Sequence, residues 1–285
     1  LSPFFKKKKI PFVFSLYPGG GFGLNNSESD YCLRDVFSNK FFRKVIVNNE
    51  VTYDYLLENR LCKKSKIEIL LGTNLQFDES DVEIQKKRFF KKNKNTFDIC
   101  FVAYNYGDKG RSKGYDLFIK TIYKLYDFIN NERIDVRFHV VGNFDENTID
   151  IIKIKKLITF YGPRDPKWLS IFYLNMDITI DPVRPFLLYP GSFDGYPMGI
   201  EQSLFGVAMF TSDELNLNRN YKYYKNDEIV HINLNADDIC SKVVYYLKNL
   251  NNLYDLAEKG RKRTIAFANF NNRMTRFIAI LKSCT

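Results

Sequence analysis

The sequence is poor in the residues that most often build catalytic triads and metal centres. It contains two histidines, His139 and His231, and one tryptophan. Both histidines stand among apolar residues of β type, a setting that indicates hydrogen-bonded core histidines. The scarcity of histidine therefore argues against a serine–histidine triad, and more strongly against a metal site with several histidine ligands. We predict no metal site.

Cysteine is also sparse, and its spacing carries no known motif. The five cysteines stand singly, without a Cys-x-x-Cys pair, at Cys32, Cys62, Cys100, Cys240 and Cys284. An odd, scattered set argues against a disulfide framework and a zinc site. It predicts reduced thiols in or near the core, as in cytoplasmic proteins.

Long apolar runs and a leader pattern are absent as well. No stretch of about 18 apolar residues appears, so no transmembrane helix is predicted, and the first residues show no signal-peptide pattern. We expect a cytoplasmic protein. The basic runs Lys6–Lys9 and Lys86–Lys94 leave open peripheral, reversible association with the inner face of an anionic membrane.

What the chain has in abundance is apolar and basic residues. Of its 285 residues 45% are hydrophobic and 16% aromatic, which excludes a disordered protein. The net charge of +10 fits a phosphate-bearing partner, although A/T-rich codons would produce the same excess of lysine. We expect no nucleic-acid partner, because no arginine-rich or RNA-recognition motif is present.

Apolar runs typical of buried strands alternate with helical patterns along the chain. The predicted strands are 11–17, 44–48, 67–71, 98–103, 136–141, 157–161, 177–181, 207–211 and 228–232. The predicted helices are 29–37, 51–61, 115–130, 166–174, 198–205, 236–250 and 253–282. This alternation predicts an α/β protein with parallel sheets and right-handed crossovers. A charged stretch at 78–96 reads as a connector, so we expect two doubly wound, Rossmann-like domains facing a cleft.

One candidate ligand loop covers 107–114, after a predicted strand and before a helix. Ligands of doubly wound sheets bind at the carboxyl ends of strands. Arg111 and Lys113 would supply positive charge for a phosphate, Arg111 as a fork and Lys113 as a point charge. A plain surface turn is the alternative interpretation.

A second candidate loop covers 190–201. Pro197 suits the first turn of a helix, so the backbone N–H groups of Gly195 and Tyr196 would favour a phosphate at that helix end. Glu201 lies about one turn into the helix in an apolar context, and a carboxylate can accept from both hydroxyls of a ribose. Asp194, before the helix, could accept from a sugar hydroxyl.

Together these loops resemble glycosyltransferase family 4, the retaining enzymes of GT-B fold. No single match is specific, but their order and spacing are. The matching segments run from Phe97 onward and are Lys113–Phe118, Phe138–Gly142, Ile158–Gly162, Met176–Pro182, Phe193–Glu201 and Gly206–Phe210.

The resemblance implies a sugar transferase that uses a nucleoside-diphosphate sugar and a hydroxyl of a glycan or lipid-linked acceptor, without metal or further cofactor. It implies that Arg111, Lys113 and Asp194 are catalytic. The implied donor-binding residues are Gly195, Tyr196, Pro197, Met198, Gly199, Ile200, Glu201, Tyr161 and Gly162. Residues 1–95 would be the acceptor-side domain and linker, 96–262 the nucleotide-sugar domain, and 263–285 a helix that crosses back.

The sequence departs from the family pattern at three places. Asp194 and Glu201 are seven positions apart, where the family spaces two glutamates by eight. Tyr104 stands where the family often has an arginine, and Tyr17 where it has a histidine. The first segment resembles only the later half of the acceptor domain, which implies truncation upstream of Leu1. A nucleotide-sugar or nucleic-acid binding module without turnover is the alternative function, and a sugar epimerase is a third.

Overall fold

The computed structural model describes residues 2–18, 22–71, 96–194, 199–268 and 270–284. These residues form two compact units. The first unit holds the described residues up to 71, together with 185–194, 267–268 and 270–284; the second holds 96–184 and 199–266. Residues 78–95 of the predicted connector lie outside the described part of the chain.

The first unit contains a small parallel sheet. Along the chain it has α1 (Ser2–Lys8), β1 (Phe12–Leu16), α2 (Ser27–Ser38), β2 (Phe42–Val47), α3 (Glu50–Glu58), a 3-10 turn (Lys64–Lys66) and β3 (Ile67–Ile69). The strands lie in the order β1-β2-β3, all parallel. Asparagine side chains begin two of its helices, because Asn26 accepts from Ser29 N and Asn49 from Thr52 N and so satisfy first-turn N–H groups.

The second unit contains the larger sheet. Its elements are β4 (Thr96–Val102), α4 (Tyr115–Glu132), β5 (Asp135–Val141), a 3-10 turn (Lys155–Leu157), β6 (Ile158–Phe160), α5 (Pro166–Tyr173), β7 (Ile178–Asp181), α6 (Ile200–Leu204), β8 (Ala208–Thr211), α7 (Leu217–Tyr221), β9 (Val230–His231), α8 (Ala236–Lys248) and α9 (Leu250–Phe267). The strands are parallel in the order β6-β5-β4-β7-β8-β9. The order therefore reverses between β4 and β7, the point at which doubly wound sheets bind ligands.

The core of the second unit lies on its central strands. Ile99, Phe138, Ile178 and Phe210, from four adjacent strands, are fully buried, as expected for parallel strands covered on both faces. Helices α4 and α8 pack against each other. The predicted α/β class with parallel sheets is confirmed.

The end of the chain is helical, as predicted for 253–282, but it is divided into two helices. Helix α9 ends at Phe267, and a separate helix, α10, covers Phe270–Lys282. The two helices bury their apolar faces in different units: Leu256 of α9 lies in the core of the second unit, whereas Ile280 of α10 packs with Ile46 and Leu70 of the first. Because α9 and α10 pack into separate cores, each helix is stabilised by its own contacts. The short helices α1 and α7 were not predicted.

Two further expectations concern the state of the cysteines and the presence of a membrane-spanning helix. All five cysteines are free thiols; Cys62 and Cys100 are buried, whereas Cys32 is exposed. Among the described residues, none of the helices combines the length and the apolar character needed to cross a bilayer.

Candidate functional site

The loops that follow β4 and β7 meet at the switch point of the larger sheet. Gly114 begins α4 in the left-handed conformation, with φ at 80°. A Cβ at Gly114 would lie 2.1 Å from the carbonyl oxygen of Pro182, directly after β7. Only a glycine tolerates both that backbone conformation and that approach.

Arg184 also joins the two loops. Its guanidinium makes a fork with the Asp116 carboxylate at 2.6 and 3.1 Å, and Nη1 also donates to the carbonyl oxygen of Arg111 at 2.9 Å. Its backbone N–H donates to the Ser112 carbonyl at 2.8 Å. The loop that carries Arg111 and Lys113 is thereby held against the end of β7.

The backbone N–H groups of the 107–114 loop are largely used within the loop. Asn105 Oδ1 accepts from Gly107 N and Gly110 N, and the Asp108 carboxylate accepts from Gly110 N and Ser112 N. Burial would raise the pKa of Asp108, but the hydrogen bonds from Ser112 and Gly110 outweigh it and lower that pKa. Recognition of an anion here would therefore fall to side chains, of which Arg111 is exposed.

Lys113 and Asp181 form the charged centre of the switch point. Lys113 is 8% exposed, and its Nζ lies 5.5 Å from the ring centre of Tyr106. Asp181, at the end of β7, is 4% exposed and accepts from Thr179 Oγ1 at 3.0 Å. Burial raises the pKa of Asp181 to about 7, although the Thr179 hydrogen bond and the Lys113 charge act to lower it. A buried carboxyl group that titrates near neutrality beside a cation is typical of functional sites.

Asp181 was missed as a site residue in the sequence analysis, where it appeared only as the last residue of a strand. The signal that could have found it is an aspartate at the carboxyl end of an apolar β run, at the edge of the sheet where ligands bind.

The start of α6 reaches the same centre. Gly199 begins this helix with φ at 85°, and a Cβ there would lie 3.0 Å from Asp181 Oδ2. Glu201, in the first turn, is half-buried, and burial raises its pKa. The side chain of Ile200 is buried, so Ile200 can meet a ligand through its backbone alone. The structure thus brings Lys113, Asp181 and the first turn of α6 to one edge of the sheet.

Tyr161 is held by a chain of hydrogen bonds through the core. Its hydroxyl lies 2.9 Å from His139 Nδ1, and His139 Nε2 lies 2.8 Å from Asp98 Oδ1. Arg137 donates to both oxygens of Asp98, at 3.0 and 3.1 Å. His139 is therefore the satisfied core histidine that the sequence predicts. Burial raises the pKa of Tyr161, so the phenol stays neutral.

Beside Tyr161 the second unit presents an aromatic surface. The Tyr161 ring lies 5.2 Å from Trp168, which stacks on Phe172 at 5.0 Å. Arg164 lies over Trp168 at 5.0 Å. Gly162 has φ at 69° and open space where a side chain would stand. The sequence predicts Tyr161 and Gly162 as site residues but not Trp168, for which the available signal was the single tryptophan of the chain, six positions after Gly162.

The remaining predicted site residues are not among the described residues of the second unit. Asp194 belongs to the first unit, is half-buried, and follows Phe193, whose ring lies 6.0 Å from that of Phe22. Gly195, Tyr196, Pro197 and Met198 lie outside the described residues, so their roles stay predictions. Within the described ranges, no three His, Cys, Asp or Glu side chains are grouped to hold a metal ion.

His231 corrects one expectation from the sequence. It is half-buried and lines a cavity, rather than lying in the core. Strand β9 is only two residues long and ends at His231, so the side chain lies at the end of the sheet.

Comparison with solved structures identifies the fold. No protein-family model and no curated protein matches the chain, but solved structures do. HepE of Anabaena, solved with UDP and glucose, is 13% identical with a TM-score of 0.68, over 99% of this chain and 74% of HepE. A glycosyltransferase of Rickettsia africae is 16% identical with a TM-score of 0.66, over 99% and 79%.

The sucrose-phosphate synthase of Thermosynechococcus elongatus adds a third match, 15% identical with a TM-score of 0.66, over 99% of this chain and 71% of the synthase. The chain has the GT-B glycosyltransferase fold. The predicted fold is therefore confirmed, and the switch point of its second unit is the place where the fold offers a ligand site.

Proposed function

We propose that this chain is a retaining glycosyltransferase of the family-4 type. It would move a hexose-type sugar from a nucleoside-diphosphate sugar to a hydroxyl group of a glycan or lipid-linked acceptor. The observation that carries the proposal is the meeting of Lys113, Asp181 and the first turn of α6 at the switch point. The similar HepE has been solved with UDP and with UDP-glucose, which supports a nucleotide-sugar donor.

Stabilising the leaving group is the main catalytic task we assign. As the bond to the sugar breaks, negative charge develops on the departing diphosphate, and Arg111 and Lys113 would compensate it. Asp181 would oppose this while ionised. Because its pKa is about 7, and an approaching diphosphate raises that pKa further, Asp181 would hold a proton in the donor complex. The Lys113 charge would then act on the phosphates.

The other residues would position the donor. We assign the ribose hydroxyls to Glu201, since a carboxylate accepts two hydrogen bonds in parallel. The base would lie at Tyr161 and Gly162, and the sugar and phosphate along the backbone from Gly195 to Ile200. Asp194 would accept from a hydroxyl of the transferred sugar.

The donor assignment is tested by calorimetric titration with UDP, GDP, ADP and their glucose conjugates. We expect selective binding of one nucleoside diphosphate and its conjugate. Glu201→Gln should weaken this binding about tenfold or more, because a charged acceptor of two hydrogen bonds is lost. Glu132→Gln, at an exposed ion pair with Lys248, is the matched control and should bind like the wild type. Equal affinity in both variants would remove Glu201 from the ribose site.

Product analysis separates the transferase from a binding module. Release of the nucleoside diphosphate in the presence of a glycan acceptor, with the anomeric configuration kept, is expected of the transferase. Binding without turnover would favour the module. Affinity for oligonucleotides that falls steeply with salt would favour a nucleic-acid binder.

Metal independence follows from the roles assigned to Arg111 and Lys113. Two side-chain cations replace the divalent ion that other transferases place on the diphosphate, and we infer no further cofactor. We place the reaction in the cytoplasm, with or without peripheral association with an anionic membrane. In vitro, transfer should proceed at an unchanged rate in EDTA. Loss of activity in EDTA, restored by Mg²⁺ or Mn²⁺, would contradict this assignment.

A further inference from the structure

A polar cavity lies in the second unit, beyond the ends of β8 and β9. Its volume is about 720 Å³, within the range of small-molecule sites. It contains none of the residues assigned to the donor, and in the strand order β9 is two strands away from β7. Arg219, Lys222, Tyr224, His231 and Arg263 are among its lining residues.

The floor of this cavity, formed by its buried lining residues Asn218, Tyr224 and Ile232, is neutral. Asn218, which is 6% exposed, holds the backbone of Tyr224: Oδ1 accepts from Tyr224 N at 2.7 Å, and Nδ2 donates to Tyr224 O at 2.9 Å. Asn218 Nδ2 also lies 3.1 Å from His231 Nε2. Because an amide nitrogen only donates, His231 Nε2 accepts, and the ring proton is on Nδ1. Burial lowers the pKa of His231, so the ring is neutral at pH 7.

The rim is charged, with an excess of cations. Four cationic and two carboxylate side chains line the cavity. The Asp213 carboxylate already accepts from the backbone N–H groups of Leu217, Asn218 and Arg219. By contrast, the exposed side chains of Arg219 and Lys222 make no ion pair or side-chain hydrogen bond within the part of the chain that the structure describes. These two cations are therefore available to an anion.

We propose that this cavity binds a small hydroxylated anion of the sugar-phosphate class, with the phosphate at Arg219 and Lys222 and the hydroxylated body over the neutral floor. A charged end is suited by guanidinium and ammonium donors. A polyol body is suited by the exposed amide side chains of Asn216 and Asn226, which also line the cavity and can exchange hydrogen bonds with hydroxyls.

The two histidines of the chain make the proposal directly measurable. The imidazole C–H resonances of His139 and His231 are assigned from His139→Gln and His231→Gln, and the wild type is titrated with ribose 5-phosphate, inorganic phosphate and ribose. We expect the chemical shift of the His231 resonances to change saturably with ribose 5-phosphate, to change less with inorganic phosphate, and not to change with ribose. His139, bonded to Tyr161 near the donor site, should stay unchanged.

The charge assignment is tested with Arg219→Gln/Lys222→Asn. Asparagine is chosen for Lys222 because φ there is 54°, a conformation that asparagine tolerates. This variant should bind ribose 5-phosphate more weakly by about tenfold or more, because both cations assigned to the phosphate are lost. Lys153→Gln/Lys155→Gln, surface lysines elsewhere in the unit, is the control and should bind normally.

Several outcomes would overturn the proposal. They are no saturable His231 shift, an equal shift with ribose, an undiminished shift in the Arg219/Lys222 variant, or a shift of His139 alone, which would assign the phosphate to the donor site. The readout needs no nucleotide, so failure here is distinguishable from failure of the transferase proposal. Conversely, loss of nucleotide binding in Glu201→Gln would leave the His231 shift in place.

Discussion

Two buried aspartates of the larger sheet stand in opposite situations. Asp98, on β4, accepts a fork from Arg137 and a hydrogen bond from His139. Asp181, on the neighbouring β7, accepts from the neutral hydroxyl of Thr179, and its pKa rises to about 7 because it is buried. Asp98, whose burial is offset by an ion pair, contributes to the stability of the fold. Asp181, whose burial is offset less, has a raised pKa that a bound ligand can change.

Removing the well-compensated aspartate should have the largest effect. Asp98→Ala leaves His139 and one side of Arg137 without their acceptor, so unfolding free energy should fall by about 3–5 kcal/mol. Urea unfolding measures this loss. Asp127→Ala, at an exposed ion pair, is the control and should change stability by less than about 0.5 kcal/mol. A loss for Asp98→Ala no larger than the control would erase the difference between the two aspartates.

A pH series sharpens the other side of the comparison. Folded Asp181 keeps its proton up to about pH 7, whereas in the unfolded chain it ionises near pH 4. The unfolded state therefore binds fewer protons between these values, and wild-type stability should fall across this window by about 2–4 kcal/mol from this group. Asp181→Asn should lack that fall. The measurement is the difference between wild-type and variant unfolding free energies from pH 4 to 8, and a difference constant with pH would contradict the assignment.

Two buried tyrosines allow the same comparison, between a polar group with a partner and one without, for uncharged groups. Here the changes in unfolding free energy should be the smallest. Tyr115, at the start of α4, has a buried hydroxyl for which the described residues supply no hydrogen-bond partner, whereas the Tyr224 hydroxyl lies 2.6 Å from Thr264 Oγ1. Tyr115→Phe should stabilise the chain by about 1 kcal/mol, and Tyr224→Phe should destabilise it by about the same amount. Thermal unfolding of both variants gives the signs, and a loss of stability in Tyr115→Phe would mean that its hydroxyl has a partner.

Much of the fold could be predicted from the sequence because its signals are local. The strands of the larger sheet are short apolar runs bounded by glycine, proline and polar residues, and period and flanking residues suffice to find such strands. The break after Phe267 was not predicted, because the sequence near this residue has no glycine or proline that would end a helix. The break reflects two cores, one receiving Leu256 and the other Ile280.

The candidate site was predictable in part. The loop 107–114 was recognised between a strand and a helix, the loop 190–201 was recognised at the start of a helix, and Arg111, Lys113 and Glu201 were their candidate charged residues. Asp181 escaped notice, because an aspartate ending a strand has the same local pattern whether it is exposed or buried. Its raised pKa arises from burial, which outweighs the Thr179 hydrogen bond and the Lys113 charge, and burial is not a property of the neighbouring sequence.

Periodicity and turn residues were enough to establish an α/β chain with parallel strands and the two loops that carry charge at strand ends, because these features depend on neighbours in the sequence. Which polar groups are compensated depends on partners from other strands: Asp98 and His139 are 41 positions apart. Such pairs form when strands assemble in the order that puts β4 between β5 and β7. For the same reason His231, alike in local pattern to His139, ends at a cavity instead of in the core.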